Sequence, residues 1–289
     1  MDKIKLLVFF LLFTSGIVQS QVNRYMVFFN DKTGTPHNIS SPETFLSNRS
    51  IQRRSNQSIS VVEQDLPVVP AYVTAVQNTG AKVLYKTKWM NGVLVECDAS
   101  LITEIDNLPS VSSINYVAPG ARPAPGGRVR SSNKFKETND EAAATDVQLT
   151  MLGMNAMHIA GYRGEGKLIA ILDGGFPGVN TATPFQHIFN ESRFDAATSY
   201  DFVSGSSNVF AKSNHGTHVL SIVGAHIPDS FSGGAYKATF ILFITEYTPN
   251  EYRVEEYNWL FAAERADSAG VDLINTSLGY NTFDDATMN

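Results

Sequence analysis

The chain has few cysteines, few basic residues relative to acidic ones and few long apolar runs. Each of these features excludes some classes of protein. With Cys97 as the single cysteine among 289 residues, no intrachain disulfide can form, and the fold must depend on its core or on bound ions. The net charge is −6, which argues against nucleic acid as a partner because phosphate binding needs a basic surface. Hydrophobic content of 43% and charged content of 17% are typical of a globular protein.

The one stretch that approaches a membrane segment is the first 20 residues. Lys3 and Lys5 precede a mostly apolar run over 6–18, which is short for a bilayer span, and Ser20 supplies a small residue at the expected cleavage position. The pattern predicts a signal peptide over 1–20 and a secreted, extracellular protein that has no membrane contact after signal removal. An uncleaved anchor or a buried N-terminal helix is the alternative.

Residues 21–120 have the pattern of a small α+β module. Residues 30–64, hereafter the insert, are polar and rich in turns, with one short helix predicted near Pro42. Asn91-Gly92 predicts a two-residue hairpin turn, and the alternating strand pattern around Cys97 predicts a buried, inert thiol. The predicted elements are a strand over 24–29, a helix over 70–79, hairpin strands over 82–90 and 93–97, a helix after Asp98 and a strand over 111–117.

A change of composition separates this module from the rest. Residues 121–136 are rich in proline and glycine and carry five basic residues but no acidic one. They predict either an exposed junction that proteases cut or a plain interdomain linker.

Residues 137–289 alternate helices with strands, which predicts βαβ units and a parallel sheet. Apolar residues at 149, 152, 156 and 159 fall at helical spacing and predict one amphipathic helix before Gly161. The elements predicted after it are a strand that ends at Asp173, a helix over 215–224, a strand over 238–245, a helix that ends at Gly270 and a strand over 271–276.

Asp173 follows five apolar residues and precedes two glycines. It therefore lies at the carboxyl end of a buried parallel strand, where α/β sheets place their functional residues. A buried carboxylate needs hydrogen-bond donors or a cation. Alone, Asp173 is ambiguous, and a structural, turn-capping role is the alternative. An aspartyl phosphotransferase is disfavoured, because it would need a second carboxylate where Gly175 stands.

His215 lies in the first turn of a predicted helix, where the helix dipole favours a neutral imidazole that acts as a base. His218 lies three residues further on, but no carboxylate or cysteine stands at a metal-ligand spacing. We therefore assign no metal and predict that His218 is a packed, hydrogen-bonded neighbour. Asp173 and His215 lie 42 residues apart, and an aspartate that orients a histidine base lets a hydroxyl attack a carbonyl.

A third block, INTSLG over 274–279, ends the last predicted strand. Its polar tip suits pairing with an extended peptide through backbone hydrogen bonds. An ordinary exit from strand to loop is the alternative.

Three blocks together resemble the subtilisin-like serine proteases, the subtilases of peptidase class S8: LDGG at 172–175, HGTHV at 215–219 and NTSLG at 275–279. The resemblance implies an α/β fold, in which an incomplete parallel-sheet, subtilisin-like domain over 137–289 follows a small α+β, ferredoxin-like propeptide over 21–120. The insert departs from a minimal propeptide.

The resemblance also implies roles for residues and partners. Asp173 would orient the imidazole, His215 would be the general base and later the acid, and Ser277, Leu278 and Gly279 would line the substrate cleft. The partners would be a polypeptide substrate and the chain's own propeptide, which assists folding and blocks the cleft. Catalysis would require no cofactor; calcium is common in relatives, but no ligand set can be read here.

Two motifs that the resemblance leads us to expect do not follow the three blocks within these 289 residues. The family's oxyanion-hole asparagine and its Gly-Thr-Ser nucleophile turn would both lie after Gly279, and residues 280–289 contain no serine. We therefore predict the precursor of a secreted serine endopeptidase with an Asp/His/Ser triad, in which these 289 residues alone are inactive. The alternative is a non-catalytic, subtilase-derived peptide-binding or inhibitory module. We also expect an open apolar sheet edge that favours aggregation.

Overall fold

The computed structural model of the protein describes residues 22–120, 144–280 and 282–288. The predicted signal peptide and the linker over 121–136 lie outside the described residues. In the part that is described, no helix combines the length and the apolar character needed to cross a membrane.

The first module is built on an antiparallel sheet of four strands, in the spatial order β2-β3-β1-β4. Its strands are β1 (Val22–Phe29), β2 (Lys82–Thr87), β3 (Gly92–Asp98) and β4 (Val111–Pro119), and its helices are α1 (Asn48–Asn56), α2 (Pro70–Asn78) and α3 (Ile102–Asp106). Alternation along β1 and β3 places Val27, Val93 and Val95 in a buried cluster with Val76 and Ile105 from the helices. This confirms the predicted α+β module.

Cys97 belongs to the same buried cluster, and burial raises the pKa of its thiol. A buried thiol with a raised pKa is a poor nucleophile, which agrees with the inert role predicted for it.

Two details of this module differ from the prediction. Strand β2 ends at Thr87 rather than near Met90, and Thr87 pairs directly with Gly92, so the hairpin loop has four residues instead of two. The loop is longer because the backbone N–H groups of Lys88 and Trp89 donate to the carboxylate of Glu264, which lies in the second module.

The insert contains more helix than its sequence indicates. Helix α1 was not predicted, and short 3₁₀ helices cover Pro42–Thr44 and Glu63–Asp65. Only Ser50 and Arg54 are buried within α1, so the helix has no apolar face for a periodic pattern to reveal. Its start is nevertheless regular, because the side chain of Ser47 accepts a hydrogen bond from the N–H of Ser50.

The second module contains a parallel sheet in the order β10-β5-β9-β6, which confirms the predicted α/β arrangement. The strands are β5 (Leu168–Asp173), β6 (Tyr200–Asp201), β9 (Thr239–Ile244) and β10 (Leu273–Thr276). Helices α7 (His215–Gly224) and α8 (Val254–Ala269) are the long helices next to it. The remaining elements are α4 (Ala144–Met151), α5 (Met154–Ile159), α6 (Gln186–Asn190) and an antiparallel pair, β7 (His226–Ile227) and β8 (Phe231–Ser232).

Side chains of β5 alternate between two buried clusters, one on each face of the sheet. Ile169 and Ile171 pack in the cluster that contains Leu220 of α7. The alternate residue Leu172 packs in the cluster that contains Phe261 of α8. The two helices therefore cover opposite faces of the sheet.

The cluster around α8 also includes residues of the first module, namely Met26, Leu94 and Val117. Helix α8 thus lies between the antiparallel sheet of the first module and the parallel sheet of the second. One of the buried clusters is therefore shared by the two modules.

The prediction of a single amphipathic helix before Gly161 is wrong. The structure contains α4 and α5 instead, separated at Gly153, whose φ of 71° is left-handed. Leu149 is buried, but Leu152 is 75% exposed and Ile159 is 89% exposed. The apolar residues follow helical spacing, yet the left-handed glycine turns the second half of the segment away from the core.

Candidate active site

Asp173 is the last residue of β5 and is completely buried. Its carboxylate accepts a hydrogen bond of 2.6 Å from the N–H of Gly174. The Nδ1 atom of His215 lies 2.9 Å from Oδ1 and 3.0 Å from Oδ2 of the same carboxylate. The donors that a buried carboxylate needs are therefore an adjacent backbone amide and an imidazole.

His215 is the first residue of α7, as predicted, and its N–H donates to the hydroxyl of Ser213 at 3.2 Å. The imidazole is 54% exposed although its carboxylate partner is buried. With Nδ1 donating to Asp173, the other ring nitrogen, Nε2, carries the lone pair. This is the tautomer in which a histidine accepts a proton from a nucleophile.

Two glycines allow the helix start and the strand end to approach. A Cβ atom on Gly216 would lie 2.5 Å from the carbonyl oxygen of Gly175 and 2.7 Å from the ring of Phe176. A Cβ atom on Gly175, whose φ is 149°, would lie 2.2 Å from the carbonyl oxygen of Ala211. A larger residue at either position would push α7 away from β5 and lengthen the contact between Asp173 and His215.

The prediction for His218 is wrong in one respect. Its side chain is exposed rather than packed, because α7 turns that position away from the sheet. Among the described residues, no group of three or more His, Cys, Asp or Glu side chains is arranged to hold a metal ion.

Strand β10 brings the third sequence block to the same edge of the sheet. It pairs in parallel with β5, and Thr276 lies opposite Leu172, so residues 277–279 leave the sheet beside Asp173. Ser277 and Gly279 are exposed, and Leu278 is half-buried. A groove of about 280 Å³ lies here, lined by Glu256, Trp259, Thr276, Leu278 and Tyr280. That these residues bind substrate stays a prediction.

An acidic region lies next to Asp173 and His215, and the sequence did not predict it. A Cβ atom on Gly174 would lie 3.4 Å from Oε2 of Glu246, and a neighbouring cleft is lined by Glu246, Glu251, Glu255 and Asp284. Burial and, next, the charges of these glutamates raise the pKa of Tyr280 well above its usual value. The sequence signal for this acidic region is the presence of four glutamates within residues 246–256. Their spacing in the sequence does not show that they lie close together in the fold.

The first module touches the second close to these elements. The hydroxyl of Tyr85 donates to the carbonyl oxygen of Phe202 at 3.0 Å, and the rings of Phe28 and Tyr257 lie 6.4 Å apart. Glu264 of α8 accepts hydrogen bonds from the end of β2, and burial raises the pKa of this carboxyl.

Comparison with known proteins gives two family matches. The family described as the peptidase S8 propeptide domain of Bacteroidota matches residues 24–136, and the subtilase family matches residues 164–289. No curated protein matches the chain.

The structure is similar to that of the epidermin leader peptide processing serine protease from Staphylococcus aureus. The TM-score is 0.52 and the identity 13%, over 89% of this chain and 50% of that one. Fervidolysin from Fervidobacterium pennivorans, a keratinolytic enzyme related to subtilisin, has a TM-score of 0.40 and 14% identity, over 78% of this chain and 30% of that one.

The chain thus spans about half the length of the staphylococcal protease. At this level of identity the similarity to the staphylococcal protease supports the fold alone, and together with the subtilase-family match it confirms the predicted subtilisin-like architecture. The two family matches show more: residues 164–289 are a subtilase-family domain, and a peptidase S8 propeptide domain lies in front of it at residues 24–136.

Proposed function

We propose that the protein is the precursor of a secreted serine endopeptidase in which Asp173 and His215 activate a serine hydroxyl. The observation that carries the proposal is the contact of 2.9 Å between Nδ1 of His215 and the buried carboxylate of Asp173. A protein that only bound peptides would gain nothing from a half-exposed imidazole held by a buried carboxylate.

The proposed reaction divides its work between the two side chains. Nε2 of His215 takes the proton of the serine hydroxyl while the serine oxygen attacks the peptide carbonyl carbon. The same nitrogen then gives that proton to the leaving amine when the C–N bond breaks, and water later releases the acyl group by the same steps. Asp173 holds the ring in position and stabilises its positive charge.

The serine of this proposal lies C-terminal to Gly279, and residues 280–289 contain none. The substrate is a polypeptide, which we place in extended form along β10 and residues 277–279. The exposure of Ser277 and Gly279 supports this placement, because an extended peptide needs free backbone groups to pair with. The first module is proposed to inhibit the enzyme until it is removed, and residues 1–20 to direct export.

The test reads the gene beyond codon 289 and measures peptide hydrolysis by the protein that it encodes. Asp173→Asn should lower kcat by about four orders of magnitude and His215→Ala by about six, by analogy with magnitudes measured in subtilisin itself. The matched control is His218→Ala, on the same helix but exposed, which should stay within about twofold of the parent.

Unchanged hydrolysis in Asp173→Asn and His215→Ala would remove both residues from the mechanism. A reading frame that ends without a serine nucleophile would instead favour a non-catalytic peptide-binding or inhibitory module.

A further inference from the structure

Helix α1 of the insert contacts the second module at the C-terminal end of α8. The last carbonyl groups of a helix have no partner within that helix. Here the insert supplies the donors. The N–H of Ser47 donates to the carbonyl of Ser268 at 2.9 Å, and the hydroxyl of Ser47 donates to the carbonyl of Ala269 at 2.9 Å. The hydroxyl of Ser50 donates to the backbone carbonyl of Asp267 at 2.7 Å.

Charged contacts surround these hydrogen bonds. The carboxylate of Asp267 accepts from Arg53 at 2.5 Å and from Arg54 at 2.8 Å, and Nζ of Lys88 lies 3.5 Å away. Arg54 also forms two hydrogen bonds, of 3.0 and 2.9 Å, with Asp65, which directly follows the insert. Because Arg53, Arg54 and Asp267 are largely buried, solvent screens these pairs less than it screens surface pairs.

A second ion pair lies at the beginning of the turn that follows α8. Arg49 contacts Asp272 at 2.5 Å and donates to the carbonyls of Gly270 at 3.1 Å and Gly166 at 2.8 Å. Although burial alone would raise the pKa of Asp272, hydrogen bonds from the Leu168 N–H and Arg49 hold it below its usual value.

The shapes of the two helices also match. Gly270 ends α8 with a φ of 87°, and a Cβ atom there would lie 2.5 Å from the nitrogen of Ser50 and 2.7 Å from the carbonyl carbon of Arg49. The turn therefore has space for the α1 backbone only because residue 270 is glycine.

Helix α1 contributes nothing to the hydrophobic cluster of its own module. The cluster beneath the antiparallel sheet contains no residue of 48–56, and the two buried side chains of α1, Ser50 and Arg54, both bond to Asp267. The contacts that order α1 are thus largely contacts with the other module, which is the arrangement of a docking element.

We propose that α1, together with its N-cap residue Ser47, is a second docking element of the propeptide, acting through Ser47, Arg49, Ser50, Arg53 and Arg54. It binds the C-terminal end of α8, beside the contacts that Lys88 of the β2–β3 loop makes with Asp267 and Ser268, and retains the propeptide on the enzyme after the linker is cut. This inference rests on the proposed inhibitory function of the first module. We call this set of five residues the α1 anchor.

The first experiment measures amide hydrogen exchange in the 289-residue chain. The double substitution Arg49→Gln and Arg53→Gln should speed exchange at residues 50–57 and 267–271 by about tenfold, the factor that corresponds to about 1.4 kcal/mol. Strands β1 and β3 should exchange as in the parent. The matched control is Gln52→Ala, also on α1, whose side chain donates to Asn56 of the same helix and, among the described residues, makes no hydrogen bond to α8.

A second variant approaches the anchor from the opposite side. Asp267→Asn keeps the size of the α8 residue but removes its charge, and it should speed exchange at the same two segments. If the arginine variant fails to fold, this variant decides. Exchange that stays at parent rates in the folded variants would overturn the proposal.

The second experiment uses the complete protease after cleavage of the linker and follows the time needed for peptide hydrolysis to reach its final rate. The arginine variant should shorten that delay about tenfold, and Gln52→Ala should leave it unchanged. Faster exchange with an unchanged delay would show that the anchor does not retain the propeptide, and so would refute it. A complete protein that hydrolyses no peptide would refute the proposed function, while the exchange experiment would still decide whether α1 is docked.

Discussion

Replacing Glu264 with alanine should separate the end of strand β2 from helix α8. The buried carboxylate accepts three hydrogen bonds from the first module: 2.5 Å from the Thr87 hydroxyl, 2.9 Å from the Lys88 N–H and 3.0 Å from the Trp89 N–H. Alanine would leave all three donors without this acceptor.

The structure sets the size of the expected effect. A hydrogen bond to a charged group contributes about 1.5–3 kcal/mol, and a buried donor left without a partner costs about 1–3 kcal/mol. Burial also raises the pKa of Glu264, so part of this gain is offset by the cost of burying its charge. Since the three bonds share one side chain, we expect a total loss of about 3 kcal/mol in the free energy of unfolding.

The assay is urea unfolding of the 289-residue chain, followed by tryptophan fluorescence. The chain has two tryptophans, Trp89 at the contact and Trp259 on α8, so the signal reports on both sides of the interface. The matched control is Glu256→Ala on the same helix, whose half-exposed side chain lies 3.9 Å from Arg253 and should change stability by less than about 0.5 kcal/mol. Equal midpoints for the parent and Glu264→Ala would refute the reasoning.

Three further predictions concern the second module. Burial, followed by neighbouring cations, lowers the pKa of His187 and His226, so their neutral forms stabilise the fold above pH 6.5 and this contribution is lost as the pH falls below it. The melting temperature should therefore drop between pH 7 and pH 5, and less so in His226→Gln; equal slopes would contradict this. Gly216→Ala should lower hydrolysis by the complete enzyme at least about tenfold, because its Cβ would clash with Gly175, and full activity would disprove the close packing. Leu273→Lys, on the exposed strand β10, should raise the soluble yield of the 289-residue chain, and an unchanged yield would show that this edge does not drive aggregation.

The sequence predicted best where one local rule acts alone. Strand β5 is buried along its whole length, so its apolar run and terminal Asp173 show both its extent and its end. Helix α7 begins at His215 and α8 ends before Gly270 as predicted, and the left-handed conformation of Gly270 shows that this helix end follows a local signal. The contact between Asp173 and His215 followed from placing a strand end beside a helix start.

The sequence predicted poorly where a distant partner decides the structure. The last residues predicted for β2 are a loop because Glu264, more than 170 residues away, takes their N–H groups. Helix α1 was not predicted because charged contacts with Asp267, rather than an apolar face, stabilise it. The helix predicted before Gly161 failed for the opposite reason, since apolar spacing continues past Gly153 although the backbone turns there.

Helix α8 packs against Met26 and Leu94 of the first module and against Leu172 of the second. The two modules therefore cannot be exchanged independently between related proteins. A hybrid that joins this propeptide to a relative's enzyme would set unmatched side chains against the foreign helix, and its two halves would fit badly. Transplanting α8 together with the antiparallel sheet would restore one side of the fit and disturb the other. Substitutions at these positions are therefore tolerated only when matching substitutions occur in the other module. Each enzyme of the family should then bind its own propeptide better than that of a relative.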